Sequence, residues 1–252
     1  MDSLKDLKMF KVLLFSVLTS LTAQAETTLQ VFGPGGPAPA MKACAAAFEK
    51  EKGIKVNVTS GPLEKWLGQA ETADVFYSGS ENMMDSFAEK IPNLDAQTIE
   101  THYLRPSAIL VRPKNPKKIR GIKDLVEKPL KVIVVNGAGQ VGMWEDIVGG
   151  LKSAKALNKF RANIVFAAKN TGDAEKTWKE DPSIDAWLVF NIWGTRNLEI
   201  AEIIPTEKNL TIYRSSGTAL SKSTKQKEAA LQFIGFVKSK ECRKSFEKEG
   251  WF

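Results

Sequence analysis

The chain has 252 residues, of which 43% are hydrophobic and 26% charged, with a formal net charge of +7. These proportions belong to a folded globular protein and exclude a disordered, collagenous or polytopic membrane chain. Acidic residues interleave with the basic ones, so the excess forms no stripe of the kind nucleic-acid binders concentrate. Two cysteines exclude a disulfide-dense scaffold and a four-cysteine zinc site, and a single histidine excludes a multi-His metal centre.

Residues 1–25 read as an export signal: Lys5, Lys8 and Lys11, a short apolar run over 12–18, and an Ala23-Gln24-Ala25 end. The run is too short to span a bilayer, and no cysteine follows the expected cut after Ala25, so no lipid anchor is expected. Export carries two consequences. An oxidising compartment permits Cys44 and Cys242 to pair; each sits on the apolar side of a predicted helix, and a bridge and two buried thiols both fit that placement. The absence of a nicotinamide or ATP pool there disfavours nucleotide-dependent enzymes.

A strand over 29–32 leads into Gly33-Pro34-Gly35-Gly36-Pro37 and a helix from Pro39, with Met41, Cys44 and Phe48 on its apolar side. Gly53 stops it, and Ile54, Val56 and Val58 alternate as the next strand. After Ser60-Gly61-Pro62 a helix carrying Leu63, Trp66 and Leu67 is predicted. A strand over 73–77 then ends in Ser78-Gly79-Ser80, and Glu81 opens another helix. Strand, glycine or serine turn, helix, three times over, argues for a parallel sheet flanked by helices. A long strand over 103–111 carries Arg105, and the Pro-rich basic stretch 112–120 reads as a crossing into a second unit. Strands at 131–135, 163–167 and 186–190 repeat the rhythm, followed by turns at 136–142, 170–172 and 191–196. A strand at 210–213 is expected to cross back, and two amphipathic helices, 225–237 and 240–248, end the chain.

Two such units with two crossings enclose a cleft, and ligands of open α/β sheets lie beyond the carboxyl ends of strands. Here those ends carry Gly, Ser, Thr and Asn rather than acid–base pairs, which suits binding better than chemistry. Asn136-Gly137-Ala138-Gly139-Gln140-Val141-Gly142 contains G-x-G-x-x-G between a strand and a helix. A dinucleotide site would need an acidic residue about 20 positions on, where Ala168-Lys169-Asn170 stand instead. The same loop fits an anion site at a helix N-terminus or a structural turn. Gly33 to Pro37, Ser60-Gly61 and Ser78-Gly79-Ser80 offer amides and hydroxyls at equivalent strand ends. Arg105 and Arg214, on the crossing strands, fit a carboxylate clamp or an inter-lobe salt bridge. Trp193 beside Asn191 fits a ligand wall or core packing. His102 reads as a strand-edge histidine, and the basic run 112–123 as a solvated face that could steer anions.

Val31-Phe-Gly-Pro-Gly-Gly-Pro37, Ala73-Asp-Val-Phe76, Gly137-Ala-Gly139 with Trp144-Glu-Asp146, Asp185-Ala-Trp187 and the tail Phe246-Glu-Lys-Glu-Gly250 together resemble the periplasmic solute-binding proteins of the molybdate and sulfate class, and within it the accessory colonisation factor AcfC group. That resemblance implies a type II periplasmic binding protein fold, α/β and two-lobed, each lobe a mostly parallel sheet flanked by helices, with two crossing hinge strands. The expected division is residues 1–25 as signal, 26–106 plus 216–252 as lobe 1, and 107–215 as lobe 2. Carried over, the ligand loops point to Gly36, Ser60 or Gly61, Val141, Thr171 and Phe190. Gly36 and Phe190 stand where relatives carry hydroxyls, which favours a larger organic anion over a metal oxyanion. The full candidate site is Gly35, Gly36, Pro37, Ser60, Gly61, Ser78, Gly79, Ser80, Arg105, Gln140, Val141, Gly142, Thr171, Phe190, Asn191, Trp193 and Arg214, with no catalytic residue, metal or cofactor. The expectation is a periplasmic, non-enzymatic receptor for a small anion, monomeric or homodimeric, serving an ABC-type transporter or a sensor and binding no nucleic acid. An adhesin keeping the fold and an exported enzyme are the alternatives.

Overall fold

Parallel neighbours cannot be joined by tight turns, and the strand–turn–helix rhythm supplies the crossovers they need. In the computed structural model, which describes residues 28–137 and 139–252, β1 (Thr28–Gly33) lies between β2 (Lys55–Ser60) and β3 (Val75–Ser78), parallel to both. The expected export signal lies outside the described residues. A second parallel trio has β5 (Val132–Val135) between β6 (Ile164–Ala168) and β7 (Ala186–Phe190). Two long antiparallel strands join the trios. β9 (Tyr213–Leu220) runs beside β3, and β4 (Glu100–Val111) runs between β9 and β7, with short β8 (Glu202–Pro205) also on β4. The order is β2-β1-β3-β9-β4-β7-β5-β6. β4 changes partners within its own length: residues 100–106 face β9, and residues 107–111 face β7 and β8.

Helices cover both faces of each half. α1 (Ala38–Lys52) ends where Gly53 turns left-handed, φ 68°, and its N–H returns to the Glu49 carbonyl. It packs Phe48 edge-on against Phe233 and Phe236 of α8 (Lys227–Val237), at 5.3 and 5.4 Å between ring centres. α9 (Lys240–Lys248) closes this layer, and the Cys44–Cys242 disulfide ties it to α1. On the opposite face Trp66 is buried among Phe32, Phe76 and Phe87, the last from α2 (Glu81–Lys90). In the second half α3 (Ile122–Glu127), α4 (Met143–Gly149) and α5 (Ala154–Asn163) bury Ile122, Ile147 and Phe160 in the large core. α6 (Thr171–Glu180) lays Trp178 against Trp187 on the other face. α7 (Ile192–Thr195) is a single turn after β7.

Three expectations change. The segment after Pro62 is two 3-10 turns, Leu63–Lys65 and Leu67–Thr72, rather than one helix. Trp66 at their junction is buried, with its Nε1–H donated to the Gly61 carbonyl at 3.2 Å, which holds the chain too tightly for a regular helix. The return strand is residues 213–220, not 210–213. Its Ser-Ser-Gly-Thr centre is buried by its neighbours β3 and β4, and that polarity masked it from an apolar-pattern reading. Finally, the passage between halves occurs inside β4, before the basic stretch 112–120. That stretch is an irregular loop in which Lys114, Asn115 and Lys118 adopt positive φ, and the Asn115 side chain bonds both the N–H and the C=O of Ile119.

Candidate functional site

All six strands of the two parallel trios end at one place. A cavity of about 760 Å³ takes lining residues from the loop after each: Pro34 to Pro37 after β1, Gly61 to Glu64 after β2, Gly79 after β3, Gly139 and Val141 after β5, Lys169 and Asn170 after β6, and Trp193 after β7. Convergence of this kind follows from the topology, because parallel strands point their carboxyl ends the same way. α1, α2 and α6 begin at the cavity wall, at Pro37, Gly79–Ser80 and Asn170–Thr171. The aligned peptide dipoles of all three, with the first-turn amides of α2 and α6 that the Ser80 and Asn170 caps leave free, give the wall a positive character.

Arg105, on β4 where the halves meet, is the one arginine in the lining and is only 3% exposed. Its guanidinium lies 4.1 Å from the ring centre of Phe190 and 5.0 Å from that of Trp251. Nε is buried without a partner, and among the described residues no carboxylate approaches the guanidinium as a salt bridge. Burial first, then the charges of Arg196 and Arg214 against the opposing pull of Glu81, lower its pKa to about 9. It remains cationic at neutral pH. Gly36 and Gly79 flank it: a Cβ on either would come within 3.4 or 3.2 Å of a guanidinium nitrogen. A side chain at Gly79 would be tight against the charge, and one at Gly36 would be in ordinary contact with it.

Of the residues singled out in the sequence, Gly35, Gly36, Pro37, Gly61, Gly79, Arg105, Val141, Thr171 and Trp193 line the cavity. The others sit behind it. Ser60 ends β2, Ser78 is buried in β3, and Ser80 caps α2 by accepting the Met83 N–H at 3.2 Å. Gln140 is buried and donates to the Thr171 hydroxyl at 2.9 Å, while Gly142 makes the left-handed turn before α4. Phe190 packs under Arg105, and Asn191 donates to the Gly250 carbonyl at 2.6 Å. Arg214 lies on β9 beside Glu81 rather than in the wall. Burial pushes the Glu81 carboxyl up, but bonds from its own N–H and from the Ser215 hydroxyl and N–H, with the Arg214 charge, hold it below the ordinary range.

The first two glycines of the G-x-G-x-x-G loop serve close packing, and the third, Gly142, serves the left-handed turn. A Cβ on Gly137 would lie 2.1 Å from the Lys169 carbonyl oxygen, and one on Gly139 would overlap the Ser80 hydroxyl from the other half. Sequence reasoning missed the wall formed by Asn82, Met83, Ser86, Phe87 and Lys90 of α2, and Lys169 and Gly172. Asn82, Ser86 and Lys90 recur every four residues, but in isolation that stripe is the solvent face of any amphipathic helix. His102 stands apart, with Nε2 2.8 Å from the Thr218 hydroxyl; burial chiefly lowers its pKa to about 4. Among the described residues no cluster of His, Cys, Asp or Glu could hold a metal ion, and no helix is long and apolar enough to cross a membrane.

Residues 29–252 match the family model described as bacterial extracellular solute-binding protein. The chain belongs to that family. Its fold is the two-lobed type II periplasmic binding protein. Peb3 from Campylobacter jejuni is 32% identical, with a TM-score of 0.81 over 88% of this chain and 98% of that one. The L-phospholactate-bound form of PEB3 superposes at 0.82, with 33% identity over the same shares. YvgL of Bacillus subtilis, named as an ABC transporter substrate-binding lipoprotein, is 23% identical over 92% of this chain and 89% of its own length. An aconitate isomerase from a Pseudomonas species is 26% identical over 94% and 92%. Within the solute-binding family the convergent, positively polarised cavity is the feature that supports a small-anion-binding role.

Proposed function

We propose that this protein captures a small organic anion, a phosphorylated or carboxylated acid, between lobes formed by residues 26–106 plus 216–252 and 107–215. The observation that carries the reading is Arg105, a buried guanidinium at the cavity wall with no carboxylate pairing it among the described residues. Leaving a charge so placed costs several kcal/mol, and an anionic ligand supplies the missing partner with charge-assisted hydrogen bonds. The amides opening α2 and α6 add neutral donors that suit phosphate, sulfate and carboxylate alike. The cavity is far roomier than a four-oxygen anion needs, and neither Gly36 nor Phe190 offers it a hydroxyl. Both features favour an acid with a carbon skeleton, in keeping with the L-phospholactate held by PEB3.

In this reading the chain is an AcfC-type member of the family, exported with cleavage after Ala25, working in the periplasm and delivering its ligand to an ABC-type transporter, as the YvgL name suggests for that protein. Gly36, Gly61, Val141 and Thr171 carry the family's ligand loops. No chemical step is assigned: the carboxylate of the cavity wall is Glu64, exposed at its rim, and the histidine lies elsewhere. The test is calorimetry and thermal shift on residues 26–252, unfolded and refolded to strip carried-over ligand. The panel holds L-phospholactate, phosphoglycerates, citrate, cis- and trans-aconitate, acidic amino acids, sulfate and molybdate. Saturable stabilisation by one organic class is expected. Stabilisation by sulfate or molybdate alone overturns the organic-acid assignment, and no response to any anion overturns the receptor reading. Conversion of one aconitate isomer to the other by the purified protein would overturn the absence of chemistry.

A further inference from the structure

Arg196 follows α7 in the second half and its guanidinium lies 5.4 Å from the Trp193 ring centre there, yet its side-chain hydrogen-bond partners all lie in the first. Nη1 donates to the Gly35 carbonyl at 3.3 Å, Nη2 donates to the Gly36 carbonyl, and Nε donates to Glu249 Oε2 at 3.0 Å. The ion pair is sheltered, with side-chain exposures of 19% and 21%, so solvent screens it less than a surface pair. Gly35 and Gly36 belong to the loop that lines the cavity and covers Arg105. A Cβ on Gly35 would meet nothing within 4 Å, so packing against a side chain does not fix the loop there. Two glycines in succession are also the least restrained stretch a backbone can have. Within the loop the Ala38 N–H donates to the Gly35 carbonyl at 3.3 Å, and the guanidinium fork from the other half of the molecule adds a second donor there and one to the Gly36 carbonyl. Arg196 is absent from the cavity lining and touches the wall from behind.

We infer that Arg196 is a positioning residue that holds the first glycine loop of the anion site and locks it to the opposite lobe, so that the lifetime of the bound state depends on it. The inference rests on the reading of the cavity as an anion site. A trans peptide points its C=O and N–H to opposite sides. By drawing the Gly35 carbonyl toward itself, Arg196 turns the Gly36 N–H the other way. The same contacts join the halves, and opening the cleft at this point breaks all three. A contact made in the closed, liganded form and lost on opening slows dissociation more than it speeds association.

The experiment compares wild type, Arg196→Gln, Arg196→Lys and Glu249→Gln in two measurements. Hydrogen exchange of the 33–41 segment, without ligand, reports loop order. Stopped-flow tryptophan fluorescence with L-phospholactate reports rates. Expected for Arg196→Gln is loop exchange faster by about tenfold with the rest of α1 unchanged. Its off-rate should also rise about tenfold while the on-rate stays within about twofold. Arg196→Lys should recover part of both, and Glu249→Gln, which spares the carbonyl contacts, should leave loop exchange near wild type. Unchanged loop exchange in Arg196→Gln overturns the inference whatever the ligand. A fall in melting temperature shared equally by Arg196→Gln and Glu249→Gln, with the off-rate unmoved, assigns a structural ion pair and also overturns it. A wild type that binds no anion while the loop still loosens in Arg196→Gln removes the anion reading and leaves the loop-holding role standing.

Discussion

Arg105→Met separates binding from folding, because its two effects have opposite signs. Methionine keeps the unbranched length of the side chain and can fill the space over Phe190 and Trp251. In the free protein the substitution removes a desolvated charge that has no carboxylate partner among the described residues, and keeping such a charge costs several kcal/mol. It also forfeits the contacts at 4.1 and 5.0 Å from two aromatic centres, worth about 2 kcal/mol when desolvated. The balance is unchanged or increased stability, up to about 2–3 kcal/mol, or roughly 4–12 °C in melting temperature for a chain of this size. Binding moves the other way. Two charge-assisted bonds to a ligand anion at about 1.5–3 kcal/mol each amount to about 3–6 kcal/mol, a loss of about two to four decades in affinity. Differential scanning fluorimetry with and without saturating L-phospholactate reads both quantities in one plate, and calorimetry supplies the affinity. A Met variant that binds like wild type refutes the anchoring role. One that melts several degrees lower without ligand shows that the guanidinium is there to hold β4 against the C-terminal tail.

Gly137→Ala forces a Cβ to 2.1 Å from a backbone carbonyl and should cost about 1–3 kcal/mol in urea unfolding. Gly35→Ala, where a Cβ meets nothing within 4 Å, should leave stability near wild type, and equal losses would show that loop conformation, not crowding, dominates. The Cys44–Cys242 bridge closes a separation of 198 residues; in the chain-entropy account, Cys44→Ala with Cys242→Ala should lose about 3–5 kcal/mol by denaturant unfolding. Burial lowers the His102 pKa from 6.5 to about 4. The unfolded chain then binds the extra proton between those values, so stability is full above pH 6.5 and falls by up to about 3 kcal/mol toward pH 4. His102→Gln should flatten that part of the pH profile. The lowered carboxyls of Glu81, Glu100, Asp124 and Asp181 lose stability on the same side, at lower pH.

The alternation of short apolar strands, glycine- or serine-bearing turns and amphipathic helices was legible because each is a local signal: period two, positive-φ permissiveness, and period 3.6. That was enough for an α/β class built on parallel strands, and for expecting function at the strand ends. It also singled out Gly35, Gly36, Gly79, Val141 and Thr171, since a loop that begins a helix beyond a parallel strand can face only one edge of the sheet. β9 was misplaced because its buried centre is Ser215, Ser216, Gly217 and Thr218, and its neighbours are strands more than 100 residues away in sequence. For the same reason Asn82, Ser86 and Lys90 of α2 were not singled out: only the folded chain brings them to the cavity. Two arginines show the division most plainly. Nothing in their local sequence distinguishes Arg105 from Arg214, or Arg196 from any helix-end cation. Only the folded chain buries Arg105 against Phe190 and Trp251 and carries Arg196 across to Gly35 and Gly36, because burial and pairing of a charge depend on what distant segments bring beside it.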